Sequence, residues 1–198
     1  MKNILKITCI TITLFMSGLV VAQEKPFRIG VKIGYPNIIG GNIEYVTPLL
    51  KKRLAPSLEY SSINADKALD PDKAKLTYFQ AGLNYYFFKE GRGLYGNLSY
   101  GILNAKLTIN DIESDIDPDL KGSAYTAISN NSINIKVGAK WGKGFYFRPE
   151  IGYSFTNLDK EILVTAVFPD GSTETQTETL PSILTQGILF NIGFGMSF

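Results

Sequence analysis

The sequence G-I-L-F-N-I-G-F-G-M-S-F occupies residues 187–198. Successive side chains of a β-strand point to opposite faces, so its even and odd positions can be separated into two faces. The even positions form an apolar face, which consists of Ile188, Phe190, Ile192, Phe194, Met196 and Phe198. The odd positions are glycine, leucine, asparagine and serine. This stretch is therefore predicted to be a strongly amphipathic strand.

The same alternation recurs along the chain and predicts seven further strands. They lie at residues 27–35, 39–47, 53–60, 76–88, 94–109, 133–141 and 145–155. In the fifth strand the apolar set changes phase, from Leu98, Tyr100 and Ile102 to Leu103, Leu107 and Ile109. A β-bulge near Ile102 would restore the facing, because a bulge inserts one extra residue.

The lengths of the connections separate two ends of the predicted sheet. Short turns follow strands two, four and six, whereas polar loops at 61–75, 110–131 and 156–184 follow strands three, five and seven. Short turns on one side, long loops on the other and an even number of strands are typical of outer-membrane barrels. The predicted fold is an eight-stranded antiparallel up-and-down transmembrane β-barrel whose closing strand ends in Phe. The alternative is a soluble secreted β-sandwich or lipocalin-like barrel that buries the aromatic face inside.

The amino terminus and the composition limit location and chemistry. Residues 1–22 have two lysines, an apolar run and Val20-Val21-Ala22 before Gln23, which predicts a cleaved signal peptide followed by a barrel domain at 23–198. Cys9 is the single cysteine and lies within that run, and the chain has no histidine. Catalysis by histidine and metal sites with histidine ligands are thereby excluded. Without residues 1–22 the formal charge is zero, so nucleic acid is not an expected partner. We expect no enzyme activity, no cofactor and no metal.

The polar face of the predicted strands carries charges at positions that cannot face lipid, because a mid-membrane charge there costs about 2–4 kcal/mol. We therefore predict a charge network in the barrel lumen that consists of Arg28, Lys32, Glu44, Arg53, Glu59, Lys136, Lys140, Arg148 and Glu150. The interior of an eight-stranded barrel is just wide enough to be filled by side chains. The set predicts a packed polar core or, with six bases against three acids, a narrow path that prefers anions.

Two of the long connections are acidic. Residues 110–131 and residues 157–182 each carry a net charge of −4. The carboxylates of Asp111, Glu113, Asp115, Asp117 and Asp119 recur at every second residue, which is typical of a solvated acidic loop and offers oxygen ligands for Ca²⁺ without matching an EF-hand. Residues 161–179 predict a β-hairpin that extends strand seven and the closing strand, and that either covers the barrel mouth or offers an edge to a partner.

Three stretches, F-R-I-G-V-K-I-G-Y at 27–35, N-I-E-Y-V-T-P at 42–48 and F-N-I-G-F-G-M-S-F at 190–198, carry a family resemblance. With them, residues 23–198 resemble the small outer-membrane β-barrel domain family common in Bacteroidetes, of OmpA and OmpX size. The terminal Phe resembles the C-terminal signal of such barrels and implies a membrane-insertion strand of Phe190, Ile192, Phe194, Met196 and Phe198. The resemblance implies Sec-type export, the outer-membrane insertion machinery, and a setting among outer-membrane lipid and lipopolysaccharide. It supports a structural or surface-interaction role with an unknown external partner, or alternatively a narrow pore or small-solute transporter.

Overall fold

The computed structural model describes residues 25–66, 72–114, 120–156 and 158–198. Its strands are β1 (Phe27–Tyr35), β2 (Ile38–Tyr45), β3 (Leu54–Asn64), β4 (Lys73–Tyr86), β5 (Gly93–Glu113), β6 (Lys121–Lys140), β7 (Phe145–Ser154), β8 (Glu161–Val167), β9 (Thr173–Thr179) and β10 (Ile188–Ser197). Two short helical turns span Leu49–Lys52 and Ser182–Thr185. The predicted signal peptide at 1–22 lies outside the described residues and stays a prediction.

Eight of the strands form a closed ring. Each of β1 to β7 and β10 pairs antiparallel with two neighbours, in the order β1, β2, β3, β4, β5, β6, β7, β10 and back to β1. The closing strand β10 pairs with β1 from Arg28–Ser197 to Tyr35–Phe190. The predicted eight-stranded antiparallel barrel is thus confirmed. Strands β8 and β9 lie outside the ring.

The outward face of this barrel is the apolar one. On β10, Ile192 and Phe194 are 47% and 44% exposed, whereas the alternate residue Asn191 is 3% exposed. The same holds on β1, where Ile29, Val31 and Ile33 are exposed, whereas the basic residues Arg28 and Lys32 are buried. A soluble barrel that buries its aromatic face is therefore wrong for this chain, because the aromatic and branched side chains are outside. Within the described segments, no helix is both long and apolar enough to cross a bilayer.

The exposed apolar side chains form a belt around the outside of the barrel, and this apolar belt ends at a row of polar side chains. Ser62 pairs with Thr77, Thr77 with Asn104, and Asn104 with Ser129, so four adjacent strands change from apolar to polar at one level. Below that row, the outward residues of β5 from Leu94 to Ile102 are apolar or glycine. Eight residue steps along a strand tilted by about 40° give a belt about 20 Å high, close to the apolar band of outer-membrane barrels.

The predicted bulge near Ile102 is wrong. The pairing of β5 with β4 and with β6 runs without a shift through Ile102. The register shifts between Ile109 and Ile112, where Asp111 has a φ of 57°. Aspartate tolerates this left-handed conformation better than most residues do. The change of phase after Ile102 instead marks the place where β5 leaves the belt, so its outward residues become polar and its inward residues apolar.

The long connections are shorter than the sequence predicts. β3 and β4 extend to Asn64 and from Lys73, and β5 and β6 extend to Glu113 and from Lys121. Polar residues therefore form strand above the belt, because the backbone ladder continues without an apolar face. β8 and β9 form the predicted hairpin, but β8 pairs with β6 at Ser123–Tyr125 and does not extend β7 or β10. It occupies the edge of β6 beyond the residues that pair with β7.

Candidate functional site

The barrel interior is polar because each strand turns its alternate polar residues inward. β1 contributes Arg28 and Lys32, β2 contributes Glu44, and β3 contributes Glu59. β6 and β7 contribute the rest of the predicted set that is buried, which consists of Lys136, Lys140, Arg148 and Glu150. All of these residues are at most 5% exposed. Buried charges need partners, and the interior supplies them in two clusters.

The first cluster is centred on Glu44. One of its carboxylate oxygens, Oε2, accepts hydrogen bonds from Arg148 Nη2 and Asn84 Nδ2, each at 2.6 Å. The other, Oε1, accepts a bond from Arg28 and one of 2.8 Å from the Tyr86 hydroxyl. The Tyr86 oxygen in turn accepts bonds of 2.9 and 3.0 Å from Arg28 and Arg148. A single carboxylate thus holds two guanidinium groups together in the lumen.

The second cluster joins two lysines to two carboxylates. Lys32 Nζ lies 2.8 Å from Glu150 Oε2 and also pairs with Glu59. Lys136 Nζ lies 3.4 Å from both Glu59 Oε1 and Glu150 Oε2, and it donates to Gln80 Oε1 at 3.2 Å. Each ammonium contacts both carboxylates, so this cluster is balanced. The first cluster carries one unmatched positive charge, which gives the two clusters together four bases and three acids.

Two predicted members of the lumen network lie outside the two clusters. Arg53 is only partly buried, and its guanidinium donates to the carbonyl oxygens of Phe87 and Phe88 in the turn after β4, at 3.1 and 3.5 Å. Its placement in the network is wrong because residue 53 precedes β3 and belongs to the rim. Lys140 is buried, but it lies at the end of β6, where Nζ donates to the Gly142 carbonyl at 3.2 Å and is 4.8 Å from the centre of the Tyr146 ring.

Inward tyrosines fill the space between the charged groups. Arg148 stacks with its guanidinium carbon 5.2 Å from the ring centres of both Tyr95 and Tyr146. The tyrosines fit because their in-register partners on the neighbouring strands are glycines, Gly195 for Tyr146 and Gly138 for Tyr95. A Cβ atom on Gly195 would lie 2.4 Å from the Tyr146 hydroxyl oxygen, and one on Gly138 would lie 2.5 Å from that of Tyr95. The glycines on the polar face therefore make room for aromatic rings within a narrow barrel.

The neutral members of the network were not among the residues that the sequence singled out as candidates. Tyr86, Tyr95, Asn84 and Gln80 are each at most 2% exposed and bond the carboxylates or the lysines directly. Their inward phase on β4 and β5 was the available signal. A search for charges alone passes over such residues, although a buried ion pair needs neutral hydrogen-bond partners as well.

A small cavity lies towards the outer end of the interior. A cavity of about 20 Å³ lies between Tyr78, Leu103, Asn130, Ser132 and Leu189, which is room for about one water molecule. Below it the side chains of the two clusters span the lumen from β1 to β6. The described interior can therefore hold charge and bind water, and it has the character of a packed core.

The acidic residues predicted in the connection at 110–131 divide between described and undescribed positions. Asp111 lies at the bulge of β5 and Glu113 ends that strand. Asp115, Asp117 and Asp119 lie outside the described residues. In the turn of the β8–β9 hairpin, Asp170 accepts hydrogen bonds from the amide and hydroxyl groups of Ser172, at 2.9 and 2.6 Å, and these bonds lower the pKa of its carboxyl group.

Comparison with known proteins gives structural neighbours but no family. No protein-family model matches the chain, and no curated protein matches it.

Among solved structures, it is similar to CarO of Acinetobacter baumannii, with 15% identity, a TM-score of 0.43, and coverage of 87% of this chain and 98% of that one. It is similar to the N-terminal β-barrel domain of Pseudomonas aeruginosa OprF, with 19% identity, a TM-score of 0.43, and coverage of 89% and 98%. It is also similar to a major outer membrane protein from Thermus thermophilus, with 8% identity, a TM-score of 0.48, and coverage of 87% and 99%. Because these identities and TM-scores are low, we base the function on the geometry of this chain alone.

Proposed function

We propose that this protein is an integral outer-membrane β-barrel that lacks enzyme activity and serves as a rigid platform for structures on the cell surface. The observation that carries this proposal is the inverted distribution of polarity, with aromatic and branched side chains around the outside and ion pairs within. An apolar belt of this size on a soluble protein would be an aggregation hazard, whereas lipid covers it at no cost.

The proposed lumen is closed to solutes. Glu44 joins Arg28 and Arg148 across the barrel, and the rings of Tyr95 and Tyr146 pack against the Arg148 guanidinium group. Such a network favours one packed arrangement of an interior that is only just wide enough for side chains. We therefore assign the charges of the predicted lumen network, without Arg53, to a structural role.

The element proposed to act on the surface is the β8–β9 hairpin. β9 pairs with β8 along Thr173–Thr179, and its other edge pairs with no strand among the described residues. Unpaired edges recruit strands from other chains, so this edge is the proposed contact for an external protein partner. Outer-membrane lipid and lipopolysaccharide would surround the belt, and the exposed face of β10, from Phe190 to Met196 with Phe198 after it, would be read by the insertion machinery. Sec-type export and membership of the Bacteroidetes-type family stay predictions.

A labelling experiment tests location and orientation together. Cysteine is introduced at Asp170 in the hairpin turn or at Lys143 in the turn between β6 and β7, in a Gram-negative host. A membrane-impermeant maleimide should label the first variant on intact cells and the second only after the outer membrane is opened. Cys9→Ser in both variants removes the thiol of any precursor that retains residues 1–22. Labelling of Lys143→Cys on intact cells, or of neither after opening, would contradict the proposed topology.

A second candidate, a narrow pore with a weak preference for anions, rests on the excess of one base over the acids in the two lumen clusters. Single-channel recording of the refolded protein in a planar bilayer distinguishes the two. The closed platform predicts inserted but silent protein. Discrete steps that favour chloride over potassium, and that lose this preference in Arg148→Gln, would instead establish the pore.

A further inference from the structure

A cavity of about 700 Å³, partly open to solvent, lies beyond the apolar belt, on the inward face of the extended strands. The extended ends of β5 and β6 form one side of it, and the β8–β9 hairpin forms the other. Contact across the cavity is made by Ser114 at the end of β5, which donates a hydrogen bond to Glu174 of β9. Its volume is in the range of sites that bind small organic molecules.

Most of the cavity wall is apolar. Leu107 and Ile109 face it from β5, and Ile162, Val164 and Ala166 face it from β8. These residues are the inward set that follows the change of phase after Ile102, together with the alternate positions of β8. Above a barrel, an apolar inward face has no lipid to cover it. The cavity therefore offers a surface that releases water when an apolar group enters.

The remaining wall is acidic. Glu174 and Glu178 face the cavity from β9, where they pair in register with Ala166 and Ile162, and Asp111 and Glu113 face it from β5. No lysine or arginine is among its lining residues, and within the described part of the chain none forms an ion pair with Asp111, Glu113 or Glu178. The wall is thus complementary to positive charge.

We propose that this cavity binds a small organic cation with an apolar body, of the arylalkylamine class. An apolar group would cover the β5 and β8 walls, and an ammonium group would lie against the carboxylates of β9 and the end of β5. An anion would be repelled. A bare divalent cation requires six or more oxygen ligands, which the apolar walls do not provide. A neutral apolar molecule would desolvate the carboxylates without compensation.

The site is independent of the closed lumen and rests on the membrane proposal only for its position outside the cell. The test therefore uses the refolded full chain in phosphatidylcholine nanodiscs, and successful insertion is scored separately. Calorimetric titration with phenylbutylamine is compared with phenylbutanol, which has the same body and no charge, and heats from empty nanodiscs are subtracted. We expect the amine to bind about tenfold more tightly than the alcohol, since its charge lies against several partly exposed carboxylates.

Two pairs of variants locate the site. Glu178→Gln combined with Asp111→Asn should weaken amine binding about tenfold and should not weaken binding of the alcohol, since only the charge is removed. Glu161→Gln is its control, because Glu161 is exposed on the opposite face of β8. Val164→Phe should fill the cavity and weaken both ligands, whereas Leu163→Phe, at a position 66% exposed on the other face, should weaken neither.

Three outcomes would overturn the proposal. They are the absence of saturable amine binding by inserted protein, equal affinity for amine and alcohol, and an equal effect of Val164→Phe and Leu163→Phe. If Val164→Phe fails to insert, it is replaced by Ile162→Phe, which fills the same cavity from the same strand. Failure of the unsubstituted chain to insert at all would instead contradict the membrane proposal.

Discussion

Replacing Glu44 by Gln should strongly destabilise the barrel. This carboxylate is the only acidic partner of Arg28 and Arg148 among the ion pairs of the described residues, and Tyr86 and Asn84 also donate to it. The amide keeps the size of the side chain but removes its charge and turns an acceptor into a donor. Removal of one partner from a buried ion pair costs about 3–5 kcal/mol, and here two guanidinium groups lose theirs. We therefore expect the free energy of unfolding to fall by at least about 3 kcal/mol.

Urea unfolding of the protein refolded in phosphatidylcholine vesicles measures this loss. Trp141 is the single tryptophan of the chain, is 56% exposed on the outside, and packs on Phe147, so its fluorescence reports on transfer from lipid to water. Glu90→Gln is the matched control. Glu90 pairs with Lys52 at 3.7 Å, and both side chains are about half exposed, so its loss should cost less than about 1 kcal/mol.

The comparison of these two variants can refute the reasoning. If Glu44→Gln and Glu90→Gln shift the unfolding midpoint equally, with equal denaturant slopes, the interior cluster does not hold the barrel together. Water entering the lumen would then be screening the guanidinium groups, and the closed-lumen proposal would lose its main support.

Three further changes test the same structure. Glu59→Gln should cost less than Glu44→Gln in the same urea assay, because Glu150 remains to pair with both lysines of its cluster. Gly195→Val should abolish refolding, scored by heat-dependent gel mobility, since its Cβ would lie 2.4 Å from a tyrosine hydroxyl, whereas the outward Gly41→Val has no atom within 4 Å and should refold. Ile192→Arg, in the apolar belt, should lower the free energy of unfolding by about 2–4 kcal/mol, whereas Asn104→Arg above the belt should change it by less than about 1 kcal/mol. Equal losses of stability in the two variants would place the membrane elsewhere.

The sequence was sufficient to predict the faces of the strands but not their partners. Alternation alone placed Ile192 and Phe194 outside and Arg148 and Glu150 inside, because the period of a strand is two residues. Which charges meet depends on the register and tilt of strands far apart in sequence. Glu44 and Arg148 are 104 residues apart, and no local pattern records their contact. Arg53 was misplaced for the same reason, since facing was inferred without knowing where β3 begins.

Above the belt the residues of β5 still alternate between polar and apolar, but there the polar residues face outward and the apolar residues face inward. A change in the phase of the apolar residues predicts a β-bulge if the apolar side is assumed to face outward throughout. For Ile102 this prediction is wrong, because the register of β5 runs through that residue without a shift. The change has a physical cause, since lipid selects apolar residues outside the barrel only along the belt. Beyond it, water selects polar residues outside, and apolar residues are retained where another element covers them. The inward Leu107 and Ile109 therefore predict a covering element, and the β8–β9 hairpin lies across the cavity from them. A phase reversal at the outer end of a barrel strand thus indicates a second, extramembrane compartment, and in this chain that compartment is the acidic cavity.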